Sequence, residues 1–106
     1  MRMLMRVSMP ADASNAAIAN GTLVSMVQKF MAQHKPEAAY FFADDNGRRS
    51  ASIVLDMKDP SEIPGLAEPW FLAFNAQVTF RPVMSAKDLA AAGPGIERAI
   101  KEFKKS

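Results

Sequence analysis

The chain has 106 residues, 49% apolar and 23% charged, with a formal net charge of +2. That size and balance describe one globular domain that can bury a core unaided by disulfides or metal. There is no cysteine and a single histidine, which excludes disulfides, thiolate metal sites and cysteine nucleophiles and argues against any protein-only transition-metal site.

The opening "MRMLMRVSMPADA" has the small-residue look of a signal cleavage site at "ADA". Arg6 interrupts its apolar run, which is then too short for a signal-peptide core. No stretch approaches transmembrane length, so the expected location is cytoplasmic. Residues 2–9, "RMLMRVSM", alternate with period two. Met3, Met5, Val7 and Met9 share one side, and Arg2, Leu4, Arg6 and Ser8 the other, as in a half-buried strand. Pro10 ends it.

Residues 11–35 read as a helix in one or two parts. Ser14 is a candidate cap for its start, and Asn20-Gly21 weakens its middle. From Thr22 onward Leu23, Val24, Val27, Phe30 and Met31 form an apolar stripe. Pro36 stops it. Residues 38–43, "AAYFFA", form a short apolar strand. The "DDNG" that follows is a hairpin signal, because Asn-Gly accepts positive φ. The return strand spans 49–57, with Ala51, Ile53, Leu55 and Met57 on one side and Ser50, Ser52, Val54 and Asp56 on the other.

"DMKDPSEIPGLAEPWF" (56–71) holds three prolines, four acids and the only tryptophan. Asp59 is the expected N-cap, Pro60 the first helical residue, and Glu62 closes a capping box. Pro69 is expected to break the helix. That gives a turn at 60–67 and a second helix at 69–75, with Trp70, Phe71 and Phe74 clustered at its start. Residues 77–84, "QVTFRPVM", alternate again, and Pro82 marks an edge strand. Ser85 with Asp88 caps a short helix, "GPG" (93–95) breaks it, and "IERAIKEFKK" is a terminal helix with Ile96, Ile100 and Phe103 inward. Glu97–Lys101 and Arg98–Glu102 pair on its outer side. The isoelectric point near 9.2 reflects a thinly spread basic excess. The cluster "KEFKK" reads as a solvated last turn rather than a nucleic-acid site.

The order β-α-β-β-α-β is that of the ferredoxin-like α+β fold. Right-handed crossovers put both helices on one face of a four-stranded antiparallel sheet and leave the other face bare. A bare face in so apolar a chain invites a partner, so a homodimer through that face is expected. The order of elements, the segment "DMKDPSEIPGLAEPWF" and the tail "VTFRPVMSAKDLAAAG" resemble small uncharacterised bacterial domains of the dimeric α+β barrel superfamily. More distantly they resemble antibiotic-biosynthesis monooxygenase-like and YCII-like domains. The resemblance spans nearly the whole chain and implies two sheets face to face with a cavity between them. Known members include cofactor-free oxygenases, isomerases, haem-binding enzymes and proteins of no known activity, so fold does not choose the function.

Arg6, Ser8, Ser52, Asp56, Thr79 and Arg81 fall on the polar sides of three strands. Together they form the expected ligand set, joined by Trp70 as an aromatic wall. Two guanidinium forks favour a carboxylate, enolate or phosphate. Asp56 and Tyr40 are the candidates for moving a proton. The bland alternatives are an Arg–Asp network across a dimer interface, a core tyrosine with its hydroxyl at the rim, and helix-to-sheet packing for Trp70, Phe71 and Phe74. His34, at a helix C-terminus, reads as a surface capping residue and not as the axial ligand that haem-binding barrel relatives use. Asp59 and Glu62 are occupied as caps, so Asp56, Asp59, Glu62 and Glu68 make no metal cluster. No cofactor and no phosphate loop is expected. "GRRS" (47–50) leaves the hairpin with two arginines, which could bind an anion, and reads as a solubilising loop. Three functional readings follow. One is a binding domain for a small, partly apolar anion in the cavity on the open sheet face. The second is a cofactor-independent monooxygenase or isomerase acting on an enolisable or phenolic substrate. The third is a purely structural dimerisation module.

Overall fold

A computed structural model of the chain describes residues 1–105. The elements are β1 (Arg2–Ser8), α1 (Ala11–Ala19), α2 (Thr22–His34), β2 (Ala38–Ala43) and β3 (Arg49–Asp56). A 3-10 turn (Pro60–Glu62) then leads into α3 (Ile63–Phe74), β4 (Gln77–Pro82), α4 (Ala86–Ala91) and α5 (Gly93–Phe103). The four strands form one antiparallel sheet in the order β2-β3-β1-β4. This is the expected ferredoxin-like α+β topology, with helices on one face.

The strand pattern decides which side chains meet. Met5 lies opposite Ile53 and Phe80, and Arg6 lies opposite Ser52 and Thr79. Because side chains alternate along a strand, Met3, Met5, Val7, Ala51, Ile53 and Leu55 make one buried floor. Ala17 of α1, Leu23 and Phe30 of α2, and Leu66, Trp70 and Phe74 of α3 pack on that floor. Trp70 is fully buried. Its ring meets Phe30 edge-on at 5.3 Å and Phe74 at 6.1 Å, geometries that add about 0.5–1.5 kcal/mol each beyond the area they bury.

Local chemistry explains most boundaries. Gly21 takes φ 81, a left-handed value that suits glycine, and so the long predicted helix is two. Asn20 Oδ1 accepts the Thr22 N–H at 3.0 Å and restarts the chain as α2. Asp59 and Glu62 form the expected capping box, as do Ser85 and Asp88.

Four expectations need correction. Ser14 is not a cap: α1 starts directly after Pro10, and Ser14 sits buried inside it, accepting a bond from Arg49. Pro69 does not break its helix, because α3 runs unbroken from Ile63 to Phe74. Its missing donor costs one bond, to the Gly65 carbonyl, while Leu66, Ala67, Trp70 and Phe74 are buried on either side of it. Phe71 does not join Trp70 and Phe74. It lies on the outer side of α3 beside Leu72, and both are exposed. Finally, Ile96, Ile100 and Phe103 do not point inward. No residue of α4 or α5 is buried, and the pair extends from the body as an arm.

The two sides of α3 should therefore respond differently to truncation. Phe74→Ala is expected to cost about 3–5 kcal/mol, as for other buried aromatics, and Leu72→Ala no more than about 0.5 kcal/mol. Urea unfolding of the two variants measures this. Equal losses would mean the helix is rotated from the orientation described.

Candidate functional site

Two cavities lie on opposite faces of the sheet. The first is on the open face, where β1, β3 and β4 present Arg6, Ser8, Ser50, Thr79 and Arg81 around a hollow of about 210 Å³, with Arg48 and Asp44 entering from the β2–β3 loop. Asp44 organises this end. Its Oδ2 accepts from the hydroxyls of Ser8 and Ser50, both at 3.0 Å. Its Oδ1 accepts from the backbone N–H groups of Asn46 at 2.9 Å and Arg48 at 3.0 Å. The Arg48 N–H does most to hold the Asp44 carboxyl down at about 2, with the two hydroxyls assisting.

With Asp44 occupied, the guanidiniums of Arg6, Arg48 and Arg81 have no carboxylate within 4.0 Å among the described residues. Arg6 instead lies 5.5 Å from the centre of the Phe42 ring, a cation–π arrangement. The open face is thus locally cationic.

The expected ligand set divides on this face. Arg6, Ser8, Thr79 and Arg81 do come together. Ser52 is opposite Arg6 in the register. Asp56 is not with them. It lies four residues further along β3 than Ser52, a separation of about 13 Å along the strand. There its Oδ1 accepts from the Met1 amino group at 2.7 Å, a bond that lowers its pKa. A base working near neutrality needs the opposite shift. Arg2 occupies the same end, with Nε 2.9 Å from Glu37 and a second nitrogen 3.6 Å from Asp88 of α4.

Tyr40 is opposite Ser52 on the other side of β3 and 67% exposed. It is an open-face residue and not the core tyrosine of the bland alternative. His34 ends α2 with its ring tilted against Phe30, centroids 4.5 Å apart. No group of three or more potential metal ligands occurs among the described residues.

The second cavity was not foreseen. It measures about 520 Å³ and lies on the helix side, at the sheet edge between β2 and the helices α1 and α2. Its buried wall is Met9, Leu23, Ser50 and Trp70, with Val27 and Phe41 completing the apolar part. Arg49 and Asn15 stand at its exposed rim. The Arg49 guanidinium donates to Ser14 Oγ at 2.9 Å and to Asn15 Oδ1 at 2.6 Å, neutral acceptors both. The Trp70 indole Nε1–H is buried and has no acceptor in the protein, an uncommon state for a native donor. So Trp70 does line a cavity, but on the face opposite Arg6 and Arg81.

A sequence signal for this cavity existed. Arg49 has the same parity as Ala51, Ile53, Leu55 and Met57, so it is the one charge on the inward side of β3. Reading "GRRS" as a solubilising loop passed over that parity.

No protein-family model matches the chain, and no curated protein matches it. Among solved structures it is similar to a 5-chloro-2-hydroxyhydroquinone dehydrochlorinase from Burkholderia phenoliruptrix, solved in complex with 2,5-dihydroxybenzoquinone. The two share 13% identity at a TM-score of 0.63, over 82% of this chain and 97% of that one. A weaker likeness, TM-score 0.46 and 16% identity, is to a formyltetrahydrofolate deformylase from Pseudomonas putida, over 77% of this chain and 28% of that one. The first likeness supports the ferredoxin-like fold. At such identity it shows the fold alone.

The Asp44 network makes a prediction in acid. A carboxyl whose folded pKa is depressed to about 2 from an unfolded value near 3.9 stabilises the fold above the unfolded value. That contribution is lost as pH falls through the folded one. The stability difference between the wild type and Asp44→Asn should be constant above about pH 5 and shrink towards pH 2. Thermal unfolding of both proteins across that range measures it. A difference independent of pH would show that the carboxylate charge is not what the four donors stabilise.

Proposed function

We propose that this protein binds a small, partly apolar anion, and that the helix-side cavity is where it does so. The observation that carries this reading is the composition of that cavity. It has the volume typical of small-molecule pockets and a mostly apolar lining. Arg49 supplies a cation with no carboxylate partner within 4.0 Å among the described residues, and the Trp70 ring forms part of the same lining. Together they suit a flat ring bearing a carboxylate or an acidic hydroxyl. The quinone bound by the Burkholderia dehydrochlorinase is a small oxygen-rich ring and supports that class.

The open sheet face is then the homodimer surface. Leu4, Val54, Tyr40 and Phe42 give it apolar area among the arginines. A second ligand reading is favoured by one observation there: three guanidiniums without carboxylate partners around the smaller hollow. Anion binding on the open face would place Arg6, Arg81 and Ser52 at the ligand instead. Catalysis as a monooxygenase or isomerase would need a base with a raised pKa in one of these spaces. The carboxyls of Asp44, Asp56, Asp59 and Asp88 are each shifted down by the hydrogen bonds they accept, so none of these four supports that role. No described helix is long and apolar enough to cross a membrane.

Trp70 is the only tryptophan, so its fluorescence reports on the helix-side cavity directly. Titration of the full chain with 2,5-dihydroxybenzoquinone and with benzoate should change that emission saturably. Arg49→Met should weaken binding by about 10-fold or more, the usual size of a lost charge-assisted bond. Val27→Phe, which fills the space, should abolish it. Arg81→Ala should leave it unchanged. The reverse pattern, with Arg81→Ala weakening and Arg49→Met not, moves the ligand to the open face. No saturable binding of either probe would overturn both placements for ligands of this class.

A further inference from the structure

We infer that α4 and α5 are an exchanged arm: in the homodimer, each copy lays Leu89, Ile96, Ile100 and Phe103 against its partner. This rests on the homodimer reading and adds to it the element that completes the interface.

The arm's own chain gives it nowhere to bury. A compact chain of this length has a radius of gyration of about 13 Å. This one has 17.7 Å, and its longest dimension is 60 Å. Leu89, Ile96, Ile100 and Phe103 are all exposed, Phe103 at 78%. Ile96, Ile100 and Phe103, spaced four and three, share one stripe of α5, and Leu89 is the exposed large apolar residue of α4. Glu97, Arg98, Lys101 and Glu102 fall between them in the sequence, so α5 is sharply two-sided. A helix with a polar side and an apolar side buries the apolar one against something.

Two observations point to a second copy. The first is where the arm is rooted. Arg2 has the same parity as Arg6, so it belongs to the open face, and its guanidinium lies 3.6 Å from Asp88 of α4. The backbone supports the same root, since Val83 N–H donates to the Arg2 carbonyl at 3.1 Å. The arm therefore leaves the body at the margin of the face assigned to the dimer. A partner stacked on that face is the molecule within its reach.

The second observation is area. Four strands about 4.8 Å apart and about six residues long offer a face of roughly 20 by 20 Å, or about 400 Å² in projection. A stable dimer buries about 800 Å² of accessible surface per partner, a measure that runs larger than projected area, so the bare face reaches that size only if nearly all of it is covered. Much of the open face is also occupied by Arg6, Arg81, Ser52 and Thr79, which contribute little apolar area. Two exchanged arms, each carrying four large apolar side chains, supply what the face lacks. A two-fold dimer buries both arms at once, because the same contact is made twice.

Sedimentation of the full chain tests this. The wild type should be a dimer at micromolar concentration. The double variant Ile100→Glu/Phe103→Glu should weaken dimerisation by at least about 100-fold. Its circular dichroism should stay unchanged, because neither residue is buried in its own chain. Leu72→Glu, at a more exposed position but on α3, should remain a dimer. The chain has no cysteine, so Phe103→Cys can carry a single benzophenone label. Irradiation should then yield a covalent dimer. A double variant that stays dimeric, or a label that reacts only within its own chain, overturns the exchanged arm and leaves the homodimer standing. A wild type that is monomeric at 100-fold higher concentration overturns the homodimer, and the arm with it.

Discussion

The structure depends on the two-residue period of β1. It is a central strand, paired with β3 on one side and β4 on the other, so its alternation is imposed on both neighbours through the register. Met3, Met5 and Val7 commit one face to the core. Arg2, Leu4, Arg6 and Ser8 are thereby committed to the other. A slip of one residue would send two arginines into the core and three apolar side chains to the surface, a cost no local compensation could meet. The helices, the cavity beneath them and the cationic open face all follow from that single phase.

The two faces have different chemistry because they solve different problems. The helix face is closed by Trp70, whose ring contacts Phe30 and Phe74 and whose bulk ties α2, α3 and the sheet together. The closure is incomplete at the β2 edge. Phe41 is exposed there, and the larger cavity opens beside it. The open face carries its polar groups at both ends. At one, Asp44 draws in two serines and two backbone N–H groups and leaves three arginines without an acid. At the other, Arg2 links β1 to Glu37 and to α4.

These arrangements bear on function through charge. A guanidinium held by neutral oxygens, as Arg49 is by Ser14 and Asn15, keeps its full charge and a fixed direction. It stands at the rim of a cavity whose lining is mostly apolar. The Asp56 carboxyl, which accepts a hydrogen bond from the Met1 amino group, has its pKa lowered by that bond. The apolar arm adds a surface that only another molecule can cover.

The sequence by itself determined the periods and the punctuation. Alternation in residues 2–9 and 49–57 gave the strands and their faces, "DDNG" gave the hairpin, and "DPSE" and "SAKD" gave two capped helix starts. Those signals are local, set by backbone geometry and by side chains within four residues, and so they survive without a fold. The grouping of Arg6, Ser8, Thr79 and Arg81 was legible too, because parity and strand order suffice to place them. Only the tertiary structure decided the rest. Asp56 and Arg6 share a face yet stand far apart, a distance that depends on register. Pro69 stays inside a helix because buried neighbours outweigh one lost hydrogen bond, a balance the local sequence does not contain. Asn15, Arg49 and Trp70 border one cavity although 55 positions separate the first from the last in the chain. The stripe Ile96, Ile100 and Phe103 says that a helix must bury one side. Whether its own chain provides the place is a question of reach, and here the body ends before the arm does.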